Sequence, residues 1–126
     1  MEPSEALDEL TTLSAQIQDA AIVGESGFVL ASTGAPERGE QLARVAADLL
    51  AAAADVRPDG EVTRVEVRQP SGSVFVVVEA GRTAVATTVP EPTAGLVLYD
   101  LRTALRRLDE APAAKAKPKR KRSTSA

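Results

Sequence analysis

Residues Gln41 to Val56, QLARVAADLLAAAADV, carry more apolar surface than a helix with one side in water can use. At about 100° per residue, Leu42, Val45, Ala46, Leu49, Ala53 and Val56 fall on one stripe, the ordinary core-facing face of an amphipathic helix. Ala43, Ala47, Leu50 and Ala54 lie roughly 110° away and form a second stripe of small residues. Only Gln41, Arg44, Asp48 and Asp55, with Ala51 among them, occupy the remaining arc. A helix apolar over most of its circumference is normally buried on more than one side. In a short chain a second copy of the same chain is one cover. The competing reading is that alanine is simply a good helix former. Leu50, in the middle of the extra stripe, favours the cover.

The chain around this helix has 126 residues, enough for one domain with a core. Its net charge of −3 conceals an asymmetry. Residues 1–110 hold 9 Arg, no Lys and 18 Asp+Glu, a balance of −9; residues 111–126 hold 6 Lys+Arg and no acid, +6, and the two recover −3. Cys and His are both missing. That removes thiol nucleophiles, Ser–His–Asp triads, thiolate and imidazole zinc sites, disulfides and the usual near-neutral proton shuttle. The opening MEPSEALDEL is acidic and has no apolar run, so no signal peptide is expected. The apolar runs are far too short to span a membrane. A soluble, cytoplasmic protein is expected. Arginine without lysine in the body, with abundant alanine, points to a GC-rich and so bacterial source.

Upstream of the two-striped helix, Ser4 is placed to cap a helix from Glu5 to about Gln18, with Leu7, Leu10, Leu13 and Ile17 on its apolar face. Ala20–Gly24 and Phe28–Ser32 are short apolar runs around the turn Glu25-Ser26-Gly27. They read as a hairpin whose strands are buried on both faces. Thr33–Gly39 reads as a loop by its Gly and Pro content. Downstream, Arg57-Pro58-Asp59-Gly60 stops the helix. Val62–Gln69 alternates Thr63, Val65 and Val67 with Arg64, Glu66 and Arg68, as expected of a strand with one wet face or an edge strand. Ser73–Ala80 (SVFVVVEA) has the continuous apolar character of a central strand, and Thr83–Val89 follows it. Thr93 is placed to cap a last helix from Ala94 to about Asp109, with Val97, Leu98, Leu101, Ala104, Leu105 and Leu108 on its face. The order is α-ββ-α-βββ-α. The expected fold is α/β in composition and α+β in arrangement, a single five-stranded antiparallel sheet with helices on both faces.

Residues 1–110 then form one domain. Residues 111–126, APAAKAKPKRKRSTSA, have no apolar residue larger than alanine and read as a disordered basic tail. Lys115, Lys117, Lys119, Arg120, Lys121 and Arg122 could touch nucleic acid or an anionic membrane electrostatically, and Lys117–Arg122 has the look of a nuclear import signal. Sequence-tolerant nucleic-acid binding usually adds aromatics for stacking, and this tail has none. Gly24, Gly27 and Gly72 do not build a phosphate loop, because GxxxxGK[ST] is absent and no Gly-rich loop leads from a strand into a helix. The numerous carboxylates sit at helix ends, turns and polar stripes and read as solvated faces. No catalytic residue, cofactor site or metal site is expected, and the chain does not read as an enzyme.

Taken together, several stretches resemble the roadblock / dynein light chain family, including its bacterial regulators of Ras-like GTPases in gliding motility and polarity. They are the opening helix leading into AAIVGESGFVLAST (Ala20–Thr33), the Ala/Leu-rich middle helix, SVFVVVEAG followed by RTAVATTV, and the closing GLVLYDLRTALRRL (Gly95–Leu108). The resemblance covers about residues 5–109 and is one of order and pattern. It implies a roadblock/profilin-like fold and a homodimer, or a heterodimer with a paralogous chain. It further implies middle helices set side by side and sheets joined through the strand after that helix, which brings in Val65 and Val67. The partner it implies is a Ras-like small GTPase, regulated and in some relatives activated without an arginine finger.

On that reading Ala43, Ala47, Leu50 and Ala54, with Val65 and Val67, form the dimer seam. Arg44, Asp48 and Asp55 form the partner-binding ridge. The alternatives are a dimerisation scaffold without effect on nucleotide turnover, and a tether through the basic tail.

Overall fold

A computed structural model describes residues 1–110. The segment 111–126, with its basic residues Lys115 to Arg122, lies outside the described residues. The elements are α1 (Pro3–Leu13), β1 (Ile17–Val23), β2 (Val29–Ser32), α2 (Pro36–Val56), β3 (Arg64–Gln69), β4 (Gly72–Glu79), β5 (Arg82–Thr88) and α3 (Ala94–Arg107). The strands form one antiparallel sheet in the order β2-β1-β5-β4-β3. Strand β5 is the centre: it joins the β1–β2 hairpin to the β3–β4–β5 meander. The expected element order and the helices on both faces are both present.

Two cores lie on opposite faces of this sheet. On one face α1 and α3 close over Ile22, Phe75, Val77 and Ala86, with Leu7, Leu10, Val97, Leu101 and Leu105 supplied by the helices. On the other, α2 alone packs Leu42 and Ala46 against Ala21, Val76 and Val85. The alternation of side chains along β4 sends Phe75 and Val77 to the first core and Val76 to the second. This is why SVFVVVEA reads as continuously apolar.

Several boundaries differ from the sequence reading. Helix α1 ends at Leu13, where Ser14 N–H bonds the Leu10 carbonyl, and Ile17 already pairs with Thr88 in the sheet. The spacing of Leu7, Leu10, Leu13 and Ile17 mimics a helical stripe. Sheet pairing overrides it, leaving Leu13 72% exposed and Ile17 buried on a strand. The cap is Glu2 rather than Ser4: Pro3 opens the helix and the Glu5 carboxylate accepts the Glu2 N–H at 3.2 Å. Thr93 does stand at the start of α3, but its side chain makes no capping bond, and its N–H donates to the Gln16 side chain at 2.6 Å.

The hairpin is buried on both faces only along β1. Strand β2 is half-buried, and Leu30 is the extra residue of a bulge between the pairs Ile22–Ala31 and Val23–Val29. Phe28 lies outside the strand and is 75% exposed. Helix α2 starts at Pro36, so most of the expected Thr33–Gly39 loop is helix. Proline at the first helical position signals this start. Gly39, which reads as a loop residue, is instead a packing residue. A Cβ there would stand 2.5 Å from Cβ and Oγ of Ser32, so only glycine lets α2 lie this close to β2. Arg38, beside it, holds Asp19 of β1 at 3.2 Å. At its other end the helix outruns the sheet, and Val56 leaves the core stripe to become exposed.

Candidate partner-binding surface

The site begins with the open edge of the sheet. Strand β3 pairs with β4 in an unbroken register, Arg64 opposite Val77 through Gln69 opposite Gly72. One step earlier, Val78 N–H donates to the Thr63 carbonyl at 2.8 Å. Hydrogen-bonded and non-bonded pairs alternate along an antiparallel ladder. Val65, Val67 and Gln69 therefore exchange bonds with β4, while Arg64, Glu66 and Arg68 present their N–H and C=O groups outward. Val65 and Val67 point to the α2 side of the sheet and are half-buried. Arg64, Glu66 and Arg68 point to the opposite side, exposed. The strand expected over Val62–Gln69 is shorter at its start, since Val62 and Thr63 precede the ladder.

Helix α2 crosses the sheet above this edge. Leu50 is half-buried and packs on the Val76–Val85 core, so it serves this chain's own fold as well as any seam. Ala43 and Ala54 are half-buried, and Ala47 is exposed. The small-residue stripe is thus the shoulder of the helix, and a groove borders each half of it. Leu50 and Ala54 share an open groove of about 1020 Å³ with Val62, Thr63 and Arg64. Ala43 and Ala47 border a second groove of about 420 Å³, closed on its far side by Gly27 and Phe28. Arg44, Asp48 and Asp55 are all exposed, and Arg44 reaches the second groove. The sequence reading brings these residues to one side of the molecule but omits Phe28. The available signal was its position directly after the tight turn in which Gly27, at φ +90°, donates its N–H to the Gly24 carbonyl. Such a turn carries the next side chain to a tip.

The far end of α3 is fixed by charge. Glu79 of β4 receives Arg106 at 2.5 Å and Arg102 at 3.9 Å, and Arg82 meets Asp109 at 2.6 Å. Among the described residues, no helix is long and apolar enough to cross a membrane.

The architecture is a three-layer α+β domain with an open sheet edge beside a half-covered helix. The family follows from the sequence: the Roadblock/LC7 domain pattern matches residues 3–89, α1 through β5, and the chain belongs to that family. Among solved structures it is similar to a Roadblock/LC7 domain from Streptomyces avermitilis, at 20% identity and TM-score 0.73, covering 83% of this chain and 92% of that one. It is similar also to MglB of Myxococcus xanthus, at 19% identity and TM-score 0.69, covering 85% of this chain and 84% of that one. Profilin II of Acanthamoeba castellanii shares the architecture at 18% identity and TM-score 0.53, covering 83% of this chain and 94% of that one. At these identities the likeness is one of fold. No curated protein sequence matches the chain.

Proposed function

We propose that this chain is a non-catalytic, homodimeric roadblock-type domain that binds a Ras-like small GTPase in the cytoplasm and changes its rate of GTP turnover. The observation that carries the reading is the open β3 edge beside the small-residue shoulder of α2, in a chain of the Roadblock/LC7 family with MglB among its structural neighbours. Dimerisation through Val65, Val67, Leu50 and Ala54 covers surface that one chain leaves half-exposed. It also sets the exposed Arg44, Asp48 and Asp55 of two chains on one side of the assembly. The mechanism is a population shift: a surface that fits one arrangement of the GTPase switch loops favours that arrangement by the difference in affinity between the two states.

The test mixes the purified protein with a Ras-like GTPase from the same organism and follows phosphate release. A changed turnover rate is expected, reduced towards the basal value by Asp48→Arg. Binding without any change in turnover makes the protein a scaffold, and absence of binding removes the reading. Light scattering on the protein alone is expected to give twice the chain mass.

A further inference from the structure

The end of α3 stands between two flanks of opposite charge. The Met1 amine donates to the Glu110 carbonyl at one end of the helix pair, and Thr93 N–H donates to Gln16 at the other. Helices α1 and α3 therefore run antiparallel, and the chain leaves Glu110 beside the start of α1. On that side α1 carries Glu2, Glu5, Asp8 and Glu9 and no Lys or Arg, and α3 adds Asp100 across the groove between them. The cation of this flank, Arg107, is already engaged by Glu9 and Glu110. Asp8 and Asp100 enter no ion pair among the described residues. On the other side of α3, Arg64, Arg102 and Arg106 line the large groove with Glu61 and Glu79.

After Glu110 the sequence continues APAAKAKPKRKRSTSA, six cations and no acid. We propose that residues 111–122 dock on the α1–α3 flank of their own chain, which sets the cations of 115–122 against the α1 carboxylates and withholds them from other polyanions. This inference does not depend on the GTPase reading.

Charge, size and reach select this occupant. A basic segment leaving Glu110 is repelled by the arginine flank and attracted by the acidic one, over a screening length of about 10 Å at 0.1 M salt. Between the helices lies a notch of about 20 Å³, walled by Ala6, Leu10, Leu13, Thr103 and Ala104 and bounded by Glu9 and Asp100. That is room for about one water-sized group, too little for the leucine or aromatic anchor of a foreign peptide. The apolar residues of 111–122 are alanine and proline alone, small enough to lie along it. Helix α1, with 11 residues, is about 16 Å long. An extended chain covers about 3.3 Å per residue, so about five residues run the length of that helix. The cations from Lys115 onward then reach every carboxylate of α1.

The chain has no cysteine, so Ala116→Cys in the full chain carries a single nitroxide. Backbone amide signals are compared with the label oxidised and reduced. Selective loss of signal is expected at Asp8, Thr12, Leu13 and Asp100. Glu79 to Arg82, on the arginine flank beside Asp109, should keep their intensity. The selectivity should vanish in 1 M salt, where the screening length falls to about 3 Å. It should vanish also when Asp8→Lys and Asp100→Lys are added, and the salt measurement reads the same contact without altering the folded body. Equal losses on both flanks, losses confined to the end of α3, or selectivity that survives 1 M salt would overturn the proposal. Isotope-enriched chain without the nitroxide, mixed with labelled chain at natural abundance, separates the own chain from a second copy. Signal loss at α1 in that mixture would overturn docking within one chain.

Discussion

The two faces of the sheet are built differently. On one face two helices close over fourteen buried residues, including Phe75, Ile22, Leu101 and Leu105. On the other a single helix buries five, of which Leu42 is the largest contributed by α2, and Leu49, Leu50, Val65 and Val74 stay half-buried around them. Each fully buried large apolar side chain contributes about 1.5–3 kcal/mol. The first face therefore carries most of the stability, and the second keeps apolar surface in reserve. Small residues on the α2 shoulder keep that reserve flat and accessible. A partner can cover it without any rearrangement of the main core.

The comparison can be broken from the stable side first. Leu101→Ala, at a position with no exposure, should cost about 2–5 kcal/mol, read as a fall in urea midpoint. Leu49→Ala on the α2 face should cost clearly less in the separated chain. Equal losses would mean that the two faces share the load. A smaller effect is expected where α2 lies closest to the sheet. Gly39→Val should destabilise by about 1–3 kcal/mol, because its Cβ meets Ser32, and Ser32→Gly in the same chain should recover part of the loss. If Gly39→Val is neutral, α2 is free to lift and the second face is looser than described. The smallest effect belongs to Leu13, whose side chain is mostly in water. Leu13→Ser should change the melting temperature by no more than a surface substitution does, within about 0.5 kcal/mol. A large loss there would place a second contact surface on the α1–α3 side.

Much of this fold was legible because local signals and long-range packing agree. The alternation of Val65 and Val67 with Arg64, Glu66 and Arg68 marks a strand with one wet face or an edge strand, and β3 stands at the edge of the sheet. The apolar run Val74 to Val78 marks an inner strand, and β4 lies between β3 and β5. Legibility failed where two periods coincide. Ile17 satisfies a helical spacing from Leu10 and Leu13 and also begins the β1 ladder, and only pairing with Thr88 decides between them. It failed again at Gly39, because a glycine that breaks a helix and a glycine that lets a helix approach a strand look the same in sequence. The ridge Arg44, Asp48 and Asp55 was legible from helical spacing. Phe28 joined that side of the molecule only when the hairpin tip folded beside Ala43 and Ala47.

The sequence by itself determined the element order, the two apolar stripes of α2 and the charge alternation of β3, because each depends only on the spacing of residues along one element. The tertiary structure decided what those patterns face. It set the second stripe of α2 on a shoulder between two grooves, turned Leu50 partly into this chain's own core, and pointed the free backbone groups of β3 outward at Arg64, Glu66 and Arg68. Orientation of one element against another rests on contacts between residues far apart in the chain, and no local period encodes it.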